Sequence, residues 1–238
     1  MTKENPPGVR VVSYNIRKAM GTDRRRDPMR ILTILSEINS DIVILQEADL
    51  RLGERPAALP LDRLADTGFT PLPLADTGVS LGWHGNAVLV RSDWAADQLT
   101  RIPLPGLEPR GAVSARIATP HGRLRVIGMH LGLLRRSRQA QQHALIDWLD
   151  TQPGCPSLIA GDLNEWSPRR GLAPLAQHFN LLTPGHSFHA RWRLAPLDRI
   201  GLGAGLSLRH LDLVDTQLTR RASDHLPIRA EIVLPATS

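Results

Sequence analysis

The chain has 238 residues, 42% of them hydrophobic, enough for a sizeable core in one domain. Its single cysteine, Cys155, excludes an intramolecular disulfide, a cysteine-based zinc site and a dithiol redox centre. Lys+Arg 29 against Asp+Glu 23 gives a formal charge of +6, and only Lys3 and Lys18 are lysine, so the excess is arginine, which suits bidentate phosphate contacts but is also what a GC-rich genome produces.

Residues 1–8 are expected to form a flexible N-terminus and 9–234 a single domain. The opening MTKENPPGVR lacks the apolar stretch of a signal peptide. No later window approaches about eighteen uncharged apolar residues, so a cytoplasmic protein without a transmembrane segment is expected. VRVVSYN (9–15) and DIVILQE (41–47) read as buried strands that each end in a polar side chain. Between them DPMRILTILSEINS has helical spacing, with Asp27 placed to cap and Pro28 in the first turn. The Pro-, Leu- and Ala-rich stretch 55–74 reads as a surface loop with a short helix. GNAVLVRS (85–92), AVSARIATP (112–120) and LRVIGMHL (124–131) read as strands, the last two joined by a Pro-His-Gly hairpin turn. An amphipathic helix is expected over 137–149, then a strand in PSLIAGDLN, and three more strands in PLDRIGLG, LRHLDLVDT and HLPIRAEIVL. Two mixed sheets packed face to face with helices outside, an α/β sandwich, accommodate this order.

Oxygen and nitrogen side chains recur at the strand ends: Asn15, Glu47, His130, Asp162 with Asn164, Asp198, and Asp224 with His225. Asp and Asn are poor strand residues, and a buried unpaired charge costs several kcal/mol, so the grouping suggests a bound cation. An oxygen-dominated set without cysteine favours Mg²⁺, with Mn²⁺ possible, over zinc. In GDLNEW, Asp162 and Asn164 are two apart and would face one point if the segment stayed extended.

Taken in order, SYN, LQE, GNAVLVRS, MHL, GDLN, LDRI and SDHLPI resemble the endonuclease/exonuclease/phosphatase superfamily from about Val9 to Val233. The resemblance implies a four-layered α/β sandwich of the deoxyribonuclease I type, with two packed mixed sheets flanked by helices. It implies a metal held by Glu47, with Asn15 and Asp224 beside it. Asp162 would orient or deprotonate the attacking water, Asn164 would hold a phosphate oxygen, and His225 would contact the scissile phosphate with Asp198 fixing its imidazole. His130 would be a second phosphate contact. Histidine at 130, where repair nucleases of the group usually carry tyrosine, is more typical of the deoxyribonuclease-like and sphingomyelinase-like branches.

Several cations follow these strand ends: Arg17, Lys18, Arg135, Arg136, Arg138, Arg169 and Arg170, with Arg220 and Arg221 just before Asp224. Arg17, Arg138 and Arg110 are the phosphate-binding candidates among the cations. Such a rim draws in an anionic lipid head group, a nucleic acid or a phosphorylated small molecule alike. The reading is therefore a metal-dependent phosphodiesterase acting on one of these substrates. The alternatives are a relatively non-specific nuclease on DNA or RNA and a non-catalytic anion-binding module. Trp166 reads equally as a stacking residue or as packing under the site. His84, His121, His143, His178, His186, His189 and His210 read as structural, and HSFH (186–189) lacks a third zinc ligand.

Overall fold

The computed structural model describes residues 8–167 and 170–235; of the N-terminal segment expected to be flexible, all but Gly8 lies outside the described residues, as does Arg169. Among the described residues, twelve strands form two six-stranded sheets. The first sheet runs β11 (Ser207–Leu213), β12 (Ile228–Val233), β1 (Val9–Asn15), β2 (Ile42–Gln46), β4 (Ala87–Arg91) and β3 (Phe69–Pro71). The second runs β5 (Ala95–Leu104), β6 (Arg110–Thr119), β7 (Gly122–His130), β8 (Ser157–Asp162), β10 (Asp198–Leu202) and β9 (Asn180–Leu182). Each sheet contains one parallel pair, β1 with β2 and β7 with β8, so both are mixed.

Period-two alternation explains the layering. Val9 and Val11 of β1, Ile42 and Ile44 of β2, and Leu158 and Ala160 of β8 point into one continuous core between the sheets. The opposite faces are covered by helices. Val12, Tyr14, Val43 and Leu45 pack on Ile31, Ile34 and Leu35 of α1 (Pro28–Glu37), while Ile127, Met129 and Ile159 pack on Leu145 and Ile146 of α2 (Arg135–Asp150). Each such side chain fully buried contributes about 1.5–3 kcal/mol. Two short helices, α3 (Ala173–His178) and α4 (Gln217–Ala222), lie against α2 and α1. The result is the expected four-layered α/β sandwich.

Small residues allow the close approaches. A Cβ on Gly128 would come within 2.6 Å of Ile44 Cγ2 across the sheets, and one on Gly161 within 1.8 Å of the Met129 carbonyl oxygen.

Local details differ from the sequence expectations. Asp27 makes no side-chain cap and instead pairs with Arg30 Nε at 2.9 Å. The 55–74 stretch is more buried than a surface loop, because Leu59, Leu64, Leu72 and Leu74 enter the cores and Phe69–Pro71 pairs with β4. β5 gives no clear sequence signal because it is an edge strand, exposed or half-buried at all but Ile102 and Leu104 and broken in register between Asp97 and Thr100.

Candidate active site

The inward-facing alternation of each central strand ends in a polar group at the same edge of the sandwich. On the second sheet, His130 pairs with Asp162 and Asp162 with Asp198, so three functional side chains stand on one rung of β7, β8 and β10. Asn15 ends β1 on the facing sheet, and its Nδ2 donates to Asp162 Oδ2 at 3.0 Å, closing the gap between the sheets. His225, in the segment before β12, places Nε2 3.6 Å from the same oxygen, and His130 Nε2 lies 3.4 Å from it. Asp162 Oδ2 is the point on which three side-chain nitrogens converge.

The strand does not continue through Asn164. β8 ends at Asp162, whose Oδ1 accepts the Asn164 backbone N–H at 2.9 Å, and Asn164 turns into the left-handed region at φ 50°. Asp162 and Asn164 are thus brought together by a side-chain-capped turn instead of by strand alternation. Asn164 Nδ2 donates to the Leu131 carbonyl at 2.8 Å, tying the ends of β7 and β8 together.

His225 is buried between carboxylates. Its Nδ1 lies 2.8 Å from Asp198 Oδ2, and Asp198 also accepts the Ser187 hydroxyl. Burial pushes the His225 pKa down, but Asp198 and Asp162 outweigh it and raise it to about 9. His130 goes the other way: burial lowers it to about 3 against the attraction of Asp162. At neutral pH the site therefore holds one imidazolium and one neutral imidazole, and the hydrogen-bonded imidazolium offsets part of the cost of the buried carboxylates.

Glu47 and Asp224 stand nearer the solvent. Glu47 follows β2 in the left-handed region (φ 51°), which turns its carboxylate back over the strand end, where Lys18 pairs with it. Asp224 pairs with Arg17 Nε at 3.1 Å, and the Arg17 backbone N–H donates to Asn15 Oδ1 at 3.0 Å. Arg17, Lys18 and Ala19 take consecutive positive φ values of 47°, 55° and 58°. Left-handed backbone costs non-glycine residues about 1–2 kcal/mol each, so the surrounding structure holds this turn in place. It aims both cations at the two carboxylates.

Among the described residues, one cluster of acidic and imidazole donors is close enough to hold a cation. Asp162, Asp198 and His225 offer ligand atoms within 4.8 Å of one another, and Asp198 Oδ1 is buried without a hydrogen-bond partner. Glu47 and Asp224, expected to hold a metal with the buried Asn15, lie nearer the surface, and each carboxylate is already paired with a cation, Lys18 and Arg17. The oxygen chemistry of Glu47, Asp224 and the Asn15 amide fits a hard divalent ion, whose charge would replace that of the two paired cations.

A cleft of about 400 Å³ opens beside Glu47 and His130, lined also by Lys18, Arg51, Arg55, His84 and Arg110. Arg110 opens β6 there and is braced by Glu108 at 2.8 Å. Arg138 is directed elsewhere: it is buried on α2, with Nη2 on Glu165 Oε2 at 2.9 Å and Nη1 on the Leu133 carbonyl at 2.6 Å. Arg220 and Arg221 are paired with Asp215 and Asp23. Sequence reasoning did not single out Ser187, and it placed Lys18 on the rim without its pairing to Glu47. It also set aside the 186–189 segment, where Phe188 packs its ring 5.0 Å from that of His225 and 6.2 Å from that of Trp166. A serine preceding an aromatic gives no recognisable signal in a single sequence.

This convergence at the edge of a two-sheet sandwich defines a class of protein. The sequence profile of the Endonuclease/Exonuclease/phosphatase family matches residues 12–230, and the chain belongs to that family. It is 31% identical to the uncharacterized protein YbhP of Escherichia coli K12, over 94% of this chain and 96% of that one. Among solved structures, the human Nocturnin catalytic domain with bound sulfate superposes with a TM-score of 0.73 at 21% identity, covering 97% of this chain and 95% of that one. A Bacteroides thetaiotaomicron mannosyl-6-phosphatase superposes with a TM-score of 0.72 at 16% identity, covering 95% of this chain and all of the other (100%). Family and fold together make this a phosphoesterase-type scaffold.

Proposed function

We propose that the protein is a metal-dependent phosphodiesterase in which Asp162 activates the attacking water. The observation that carries this reading is the meeting of Asn15, His130 and His225 nitrogens at Asp162 Oδ2, which surrounds one carboxylate with donors suited to phosphoryl oxygens. Glu47, Asp224 and the Asn15 amide would hold Mg²⁺ or Mn²⁺, which when bound neutralises charge on a phosphoryl oxygen and on the leaving oxygen. Asp162 orients the water and takes its proton as the water oxygen attacks phosphorus and the ester P–O bond breaks. His225, protonated and oriented by Asp198, donates from Nε2 to a non-bridging oxygen. His130, neutral, supplies a second N–H without adding charge, and Asn164 keeps the β8 turn in register with Leu131.

The test is hydrolysis of bis(p-nitrophenyl) phosphate and p-nitrophenyl phosphate with Mg²⁺ or Mn²⁺, beside plasmid DNA, for the wild type and Asp162→Asn. Diester cleavage that disappears in Asp162→Asn is expected. Cleavage of the monoester alone would make the protein a phosphomonoesterase, and silence on all three together with metal binding would make it an anion-binding module.

A further inference from the structure

Of the eleven large apolar side chains left exposed among the described residues, seven lie in loops around the mouth of the candidate active site. Leu52, 86% exposed, follows Arg51 in the loop after β2; Leu107, 89% exposed, tips the β5–β6 loop; Leu133 and Leu134 lie between β7 and α2. Trp166 follows β8, and Trp192 with Leu194 precedes β10. These loops touch one another. Arg51, Glu108, Pro109 and Leu133 line the same cleft, and Gln141 joins the Pro105 carbonyl at 3.0 Å to the Gly132 N–H at 2.8 Å. Arg138 ties Leu133 to Glu165, the neighbour of Trp166, and Phe188 connects Trp166 to the loop that carries Trp192.

The cations on this rim are interleaved with the apolar residues. Arg51 adjoins Leu52, Arg135 and Arg136 adjoin Leu133 and Leu134, and Arg191 adjoins Trp192. All four arginines are exposed, and none is held in an ion pair among the described residues. Exposed apolar side chains grouped on adjoining loops and interleaved with charge mark an interaction face. Leucine tips gain nothing from the phosphodiester backbone of a nucleic acid, whereas they gain free energy in the boundary between head groups and acyl chains, where tryptophan also settles and arginine meets lipid phosphate. A second copy docked on this rim would oppose arginines to arginines.

We propose that this rim is a docking surface for an anionic lipid bilayer, which would present a phosphoester head group to the site. The substrate assignment rests on the phosphodiesterase reading, while the docking does not. Apolar loop tips enter the interface, the arginines bind lipid phosphates, and the cleft between them faces the membrane.

Co-sedimentation of the full chain with vesicles tests this. Wild type is expected to pellet with vesicles of equal phosphatidylcholine and phosphatidylglycerol at least about tenfold more strongly than with phosphatidylcholine alone. The Leu107→Ser/Leu134→Ser double variant should lose vesicle binding and keep its hydrolysis of bis(p-nitrophenyl) phosphate. Arg135→Gln/Arg136→Gln should lose the preference for the anionic vesicles. Asp162→Asn should pellet as the wild type does, which separates the two ideas. Vesicle binding with no hydrolysis of any phosphoester overturns the phosphodiesterase alone; hydrolysis of the soluble diester with no vesicle binding overturns the docking alone. The docking is also overturned if the double variant pellets like the wild type, or if the rim instead drives self-association in sedimentation velocity that the double variant abolishes.

Discussion

Exchanging Asp162 for asparagine keeps the shape of the rung His130–Asp162–Asp198 but removes the proton acceptor and the charge. A loss of about 10²- to 10⁴-fold in diester hydrolysis is expected, with an unchanged circular dichroism spectrum. The neighbouring imidazole gives an independent readout. His225 is held at about 9, above the ordinary value near 6.5, so its stabilisation is fully present below about pH 6.5 and is lost as pH rises through about 9. In Asp198→Asn the largest attraction is gone and burial remains. An NMR titration of the His225 ring in metal-free protein should therefore show its midpoint falling in the variant; a midpoint still near 9 would mean that Asp198 is not what holds the proton.

Elements set these residues at their distances, and two of their contacts can be tested by stability. β8 runs so close to β7 that a methyl at Gly161 would meet the Met129 carbonyl, and φ at Gly161 is 156°. Gly161→Ala is expected to cost at least about 1–3 kcal/mol by forcing the two strands apart, visible as a lower urea midpoint. Helix α2 is fastened to the loop after β8 by the buried pair of Arg138 and Glu165. Arg138→Met strands the Glu165 carboxylate in a site with little water and should cost about 3–5 kcal/mol. If Arg138 instead served the substrate phosphate, the same variant would keep its stability and raise KM, so thermal melting and kinetics together decide between the two roles.

At the scale of the whole molecule, the two sheets bring one positive turn and several carboxylates to a single edge. Because Lys18 and Arg17 already neutralise Glu47 and Asp224, the fold does not need a metal to balance that charge. EDTA is accordingly expected to abolish hydrolysis while shifting Tm little, and added Mg²⁺ or Mn²⁺ should restore turnover. A collapse of Tm on chelation would place the ion in a structural role, and hydrolysis that survives EDTA would remove it from the chemistry.

Much of this was legible in residue order. Strands β1, β2, β4, β6, β7 and β12 announce themselves by β-branched residues and β8, β10 and β11 by short apolar or alternating stretches, and polar strand ends mark Asn15, Glu47, His130, Asp162 and Asp198, because a strand rarely closes on a carboxylate without a use for it. Edge strand β5 was not legible, since its exposed alternation resembles a loop. Nor was the fate of each arginine: Arg17, Arg110 and Arg138 have the same side chain, yet one pairs with Asp224, one opens onto the cleft braced by Glu108, and one is buried against Glu165. The sequence by itself determined the layer architecture and the inventory of reactive groups, because local periodicity and side-chain chemistry are properties of neighbouring residues. Only the tertiary structure decided which carboxylate meets which cation, how His130 and His225 come to differ in charge, and that the exposed leucines and tryptophans share one rim. Those outcomes depend on burial and on distances between residues far apart in the chain.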